Sequence, residues 1–172
     1  MTNARTLTST QRRWILRNAV VGTALTNGMI NATIAWISAR HEKTVALWRL
    51  SLSGKPSTIT DTVGTLFFLP LITTVVCTSA VWRQLRSGRL EPLVGTRLGV
   101  MARLQGGRLR RGLALGGVCV AVISPVAVAV LVATNFGGVS TTEFVIYKAA
   151  FAVVLGAVVT PLVAIRAMAD SG

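Results

Sequence analysis

Four long apolar blocks, separated by segments rich in arginine, glycine and serine, organise the chain. They run over about 18–38, 61–82, 112–134 and 144–165, and each reaches the roughly 20 residues that an α-helix needs to cross a bilayer. Inside a membrane no water is present to bond the backbone, so a crossing segment must be a helix or a strand of a closed barrel. Barrel strands are short and alternate in polarity, and these blocks do neither. The pattern predicts an all-α protein, one integral-membrane domain over 1–172 built as a four-helix bundle, with an Arg-rich link over 83–111.

Two of the blocks echo each other. "STITDTVGTLFFLPLITTVVCTSAVWR", from Ser57 to Arg83, slides onto "STTEFVIYKAAFAVVLGAVVTPLVAIR", from Ser140 to Arg166. The first and third blocks share an Arg-Arg opening, at Arg12 and Arg13 and again at Arg110 and Arg111. The expectation is a parallel two-plus-two duplication, its axis along the membrane normal because two spans return each unit to the same side. Polar residues sit unevenly between the two units. The third block has Ser124 as its only central polar side chain, so function is expected in the first two.

In the first block, "GTALTNGMINATIAWISA", residues four apart share a helix face. Thr23, Asn27 and Asn31 form one line, with Thr26 and Thr33 flanking it. Ala24, Gly28 and Ala32 make an adjoining small-xxx-small seam for a close neighbour, expected to be the second span. Val21, Leu25, Met29 and Trp36 are left to face lipid. The second block offers a column of Asp61, Thr65, Leu69, Thr73 and Cys77 beside another of Thr62, Pro70, Thr74 and Thr78. Pro70 lacks a backbone donor, which predicts a bend and a freed carbonyl at Leu66. Two readings stand. The amides and threonines are interhelical glue, or they line a path for a small polar solute. Asn27 is expected against the second span near Thr65 or Thr73, and Asn31 is expected to meet water together with Asp61 and Lys148.

Lys148 lies about a turn and a half into the fourth block, in "EFVIYKAAF". An ionisable group at depth is costly and is either partnered or functional. It either snorkels or pairs with Asp61 or Glu143, or else it touches a solute or ion. Asp61 itself suits a helix start.

Composition sharpens this picture. Of 172 residues, 52% are hydrophobic and 13% charged, with mean hydropathy +0.63, too apolar for a soluble domain. Lys and Arg number 18 against five acids, a net charge of +13. The arginines flank apolar blocks and no aromatic platform accompanies them, which favours lipid headgroups and topology over nucleic acid. Arg5, Arg12, Arg13 and Arg17 precede the first span, eight arginines fill the link, and the loop over 135–142 has none. The bias predicts both termini and the link in the cytoplasm of a bacterial-type inner (plasma) membrane. Arg40, Lys43, Arg49 and Lys55 in the first loop count against it. Val94, Leu98, Met101 and Leu104 recur at helical spacing in the link. A surface helix is expected there, with Arg97, Arg103, Arg108, Arg110 and Arg111 on anionic lipid.

Other candidate chemistry is thin. "TQRRWILR" reads as the start of an uncleaved span and not as a twin-Arg export signal. "VALWRLSLSG", from Val45 to Gly54, reads as an interfacial segment. His41 stands alone beside Glu42, and Cys77 and Cys119 show no metal or redox spacing, so each cysteine is expected to pack as a small hydrophobe. No cofactor or metal site and no catalytic constellation is expected. The leading function is a permease- or channel-like role for a small polar solute or ion, as a homo-oligomer or beside a larger membrane partner. The alternative is a non-catalytic accessory or assembly subunit of a larger membrane complex.

Overall fold

A computed structural model describes residues 7–49, 55–93, 107–134 and 138–170. The surface-helix expectation for the link, including Arg97 and Arg103, lies outside the described residues, as do Arg5 and the end of the interfacial segment over 50–54.

Among the described residues the protein is all-helical apart from two two-residue strands, with four helices long and apolar enough to cross a membrane: α1 (Ser9–Ala39), α2 (Thr58–Arg86), α3 (Arg108–Thr134) and α4 (Thr141–Ala169). All are longer than the apolar blocks. The blocks stop at the first charges, whereas a helix stops where its end groups find partners. Thus α1 begins two turns before its block, at a capping box in which Thr8 and Gln11 exchange side-chain and backbone bonds. Ser140 and Glu143 build the same device at the start of α4. A 29-residue helix such as α2 or α4 is about 44 Å long at 1.5 Å per residue, enough for the hydrocarbon core and both headgroup layers. Helix α2 runs unbroken through Pro70. Helix α1 is wound as a π-helix over Ile15–Gly22 before continuing as α-helix over Thr23–Ala39.

The helices stand in the order α1, α4, α2, α3. Helix α4 packs between α1 and α2, and α3 packs on the far side of α2. This corrects the expectation that α1 seats on the second span. The cause is the small-residue seam. A Cβ at Gly28 would fall 2.5 Å from Val153 Cγ2 and 3.4 Å from the Ala149 carbonyl oxygen, and one at Gly156 would fall 3.4 Å from Ala24 Cα, so α1 and α4 touch almost backbone to backbone. Gly112 and Gly116 do the same for α3 on α2, against Leu71 and Phe67. Exchanging the first two helices for the last two leaves this pattern of neighbours unchanged. The residues paired by the sequence echo also begin and end the two central helices, Thr58 with Thr141 and Arg86 with Ala169.

The main core lies between α2 and α4, where Leu66, Val81, Ala152, Val159 and Ala164 are buried, and it takes in both free cysteines, Cys77 and Cys119. At one end of the bundle a short antiparallel pair joins β1 (Thr44–Val45) to β2 (Val139–Ser140). Gly138 passes over it with φ +119°, and a Cβ there would meet the Val45 carbonyl oxygen at 2.7 Å. At the opposite, Arg-rich end, buried Gln11 donates to the Glu91 carbonyl (2.9 Å), and the Leu93 amide donates to the Met168 carbonyl (3.0 Å).

Candidate functional site

Because α1 and α2 each pack their backbones on α4 more than on each other, a groove is left between them with α4 as its floor. It encloses about 520 Å³, a size typical of small-molecule sites. It begins at Asn27, Leu69 and Ile72, near the middle of the helices, and opens at the β1–β2 end by Ser38, Lys55 and Ser57. Gly64 widens one wall, since nothing lies within 4 Å of where its Cβ would be. Ile30, Ile34, Phe68 and Ile72 form apolar lips, each at least half exposed.

On the floor stands Lys148, 2% exposed. Its ammonium forms an ion pair with Asp61 Oδ2 and donates to Thr65 Oγ1 and, at 3.1 Å, to the Asp61 backbone carbonyl. Of the three N–H donors of an ammonium, two go to Thr65 Oγ1 and the Asp61 carbonyl as hydrogen bonds, while Asp61 Oδ2 balances the charge as an ion pair. Without such partners a buried cation would be too costly to keep. Asp61 differs from its partner. Its Oδ2 is shut away beside the ammonium, while the side chain as a whole is 37% exposed, so the rest of the carboxylate faces the groove.

The two amides are anchored through nitrogen. Asn27 Nδ2 donates to Thr73 Oγ1 on α2 at 3.5 Å, and Asn31 Nδ2 donates to the Asn27 carbonyl at 2.9 Å. Among the described residues no donor reaches either amide oxygen, and neither oxygen is a buried orphan. Both therefore stay accessible from the groove their residues line. The hydroxyls along the walls spend their protons on backbone carbonyls: Ser38 on Ile34 (2.7 Å), Ser57 on Leu47 (3.2 Å), Thr60 on Arg49 (3.3 Å) and Thr65 on Asp61 (2.9 Å). At the mouth Lys55 pairs with Glu42 at 3.0 Å.

Of the residues singled out from sequence, Asn27, Asn31, Asp61, Thr65 and Lys148 come together on one groove. Thr73 lies behind it, 4% exposed, as the acceptor for Asn27. Thr23 stands apart, donating to the Asn18 carbonyl across the π-wound turn (3.2 Å). The neighbouring threonines of α2 are packing residues: Thr62 donates to the Thr58 carbonyl and meets the Tyr147 hydroxyl at 2.9 Å, and Thr74 donates to the Pro70 carbonyl. Among the basic residues, Arg108 donates to Ser79 Oγ (2.7 Å) and lies over the Trp82 ring, while Arg111 pairs with Asp170, which Arg166 also holds at 3.0 Å. Two of the five arginines assigned to lipid thus have protein partners. Arg110 is exposed. Sequence reasoning missed Ser57, Thr60, Gly64 and Phe68. Ser57 and Gly64 carried a signal as the cap of α2 and the lone glycine in its first half, but only the loop's return across the helix end brings Ser57 into the site.

Comparison with protein-family models, with curated proteins and with solved structures finds no match for this chain.

Proposed function

We propose that this is a permease- or channel-like integral membrane protein that takes a small polar solute or ion into the groove between α1 and α2. One observation carries the reading: both α1 amides and the Lys148–Asp61 pair border a single cavity that reaches from a loop end to mid-helix. Polar groups at membrane depth are expensive, and glue alone would bury them against protein with no space beside them. An accessory subunit needs no such space. The arginines near the start of α1, the end of α2 and the start of α3 favour a cytoplasmic position for that end, with both termini and the link there, in an inner (plasma) membrane. The groove then opens outward. Below its inner end α1 is π-wound over Ile15–Gly22, the kind of irregular turn often found where a helix serves function, and a bend there would extend the path inward. The exchange-invariant packing supports an origin by two-plus-two duplication, with the first unit keeping the polar groups. Arg97, Arg103 and Arg110 are proposed to hold anionic lipid, and the exposed valines of α3 leave a face for a second copy or for lipid.

Osmotic swelling of proteoliposomes, followed by light scattering over a panel of urea, glycerol, neutral amino acids and alkylammonium salts, tests the reading. At least one solute should enter faster than in protein-free vesicles, and Asn27→Leu or Asn31→Leu should slow it about tenfold or more while the helical circular dichroism is kept. No acceleration for any solute, or flux indifferent to both substitutions, would reject it.

A further inference from the structure

Resting on the groove as the solute site, we infer that it selects a small protonated primary amine with a short apolar chain. The reason is an imbalance of donors and acceptors. The Lys148 ammonium is engaged by two hydrogen bonds and the Asp61 ion pair, and the wall hydroxyls donate to backbone carbonyls of their own helix or of the loop before α2. What remains facing the cavity is chiefly oxygen: the accessible part of the Asp61 carboxylate, the amide oxygens of Asn27 and Asn31, and hydroxyl lone pairs, beside the second N–H of each amide and, at the mouth, Lys55, which is paired with Glu42. An anion deep in the groove would face the Asp61 carboxylate, and that pairing with Glu42 already occupies the Lys55 ammonium at the mouth. A neutral donor would be satisfied, but a protonated amine adds Coulomb attraction to its hydrogen bond with the carboxylate. A bare metal ion needs some six oxygens converging at one point, whereas these are strung along the groove from Asn27 to Ser57, in a space far larger than an ion. Beside them run the apolar lips Ile30, Ile34, Phe68 and Ile72, more than enough for a chain of a few carbons, and the Phe68 ring adds a face that attracts cations. The ammonium would sit between Asp61 and the Asn31 amide oxygen, with its alkyl chain along the lips.

Isothermal titration of the full chain in detergent at neutral pH tests this, with n-butylammonium as the probe and butan-1-ol, butyrate and sodium chloride as comparators. Butylammonium should bind about tenfold or more tighter than butan-1-ol, a step of one charge-assisted hydrogen bond, and butyrate should not saturate. Asn31→Leu, which leaves the ion pair intact, should weaken butylammonium about tenfold. Because Asp61→Asn alone strands a buried ammonium, the second variant is Asp61→Asn with Lys148→Met, which removes both charges and should abolish the preference over butan-1-ol. Equal binding of butyrate or butan-1-ol, competitive displacement by sodium, or an affinity untouched by both variants would overturn the inference. The outcomes also separate the two claims. Saturable butylammonium binding in a protein that moves no solute leaves the selectivity standing and removes the permease. Flux of a neutral or anionic solute blocked by Asn31→Leu, without butylammonium binding, does the reverse.

Discussion

At the scale of single residues, the Lys148–Asp61 pair is a buried charge held against the wall of the candidate groove. The two partners are unequal: the lysine side chain is 2% exposed and the aspartate side chain 37%. Removing the acid leaves a buried cation with two neutral acceptors, and removing the base leaves an anion that the groove can hydrate. Asp61→Asn should therefore lower the unfolding free energy in detergent by about 3 kcal/mol, the low end of the loss for a broken buried pair. Lys148→Met should cost clearly less, and the double variant less than the sum of the singles. Strict additivity in a thermal or denaturant series would mean that the pair is not coupled. That a lysine at this depth needs a partner was legible from its position alone, but which acid it takes was not. Glu143 is nearer in sequence, yet it is engaged with Ser140, accepting from that amide at 2.8 Å, and so turned back towards the helix start. Capping competes with ion pairing for the same carboxylate.

Between elements, small residues decide who neighbours whom. The spacing of Ala24, Gly28 and Ala32 correctly marks a face of close approach, but a face does not name its partner, and the structure gives it to α4. The partner is set by a matching hollow, here at Ala149, Val153 and Gly156, which no periodicity in α1 can reveal. Helix ends were likewise undershot because hydropathy falls off before hydrogen bonding does, as at Thr8 and Gln11. The α2–α3 seam offers a clean check. A Cβ at Gly116 would lie 2.6 Å from the Phe67 carbonyl oxygen, which is backbone and cannot step aside, whereas Gly117 has nothing within 4 Å. Gly116→Ala should push the helices apart and destabilise by about 1–3 kcal/mol. Gly117→Ala should be neutral or stabilising by up to about 1 kcal/mol through helix propensity. Equal responses in thermal unfolding would contradict the seam.

For the whole molecule, the row α1, α4, α2, α3 explains how four helices leave a groove between two of them. A closed four-helix bundle would bring α1 onto α2 and fill its own middle, whereas leaning both helices on α4 leaves space between them. The four long helices were legible from block length and the polar residues from their positions, but the groove was not, because it arises from two helices that both pack on α4 and meet through the Asn27 and Thr73 side chains while their backbones stay apart. The proposed outward opening rests on the arginines, and the proposed use requires that water enter the groove from outside. The most direct measurement is thiol labelling in sealed right-side-out vesicles with a membrane-impermeant reagent, comparing Asn31→Cys in the groove wall with Met29→Cys on the far face of α1, which is 72% exposed on the side assigned to lipid. The native cysteines are both buried, so background is low. The account predicts that Asn31→Cys labels from outside and Met29→Cys does not. No labelling of Asn31→Cys from outside, or equal labelling of both positions, would contradict it.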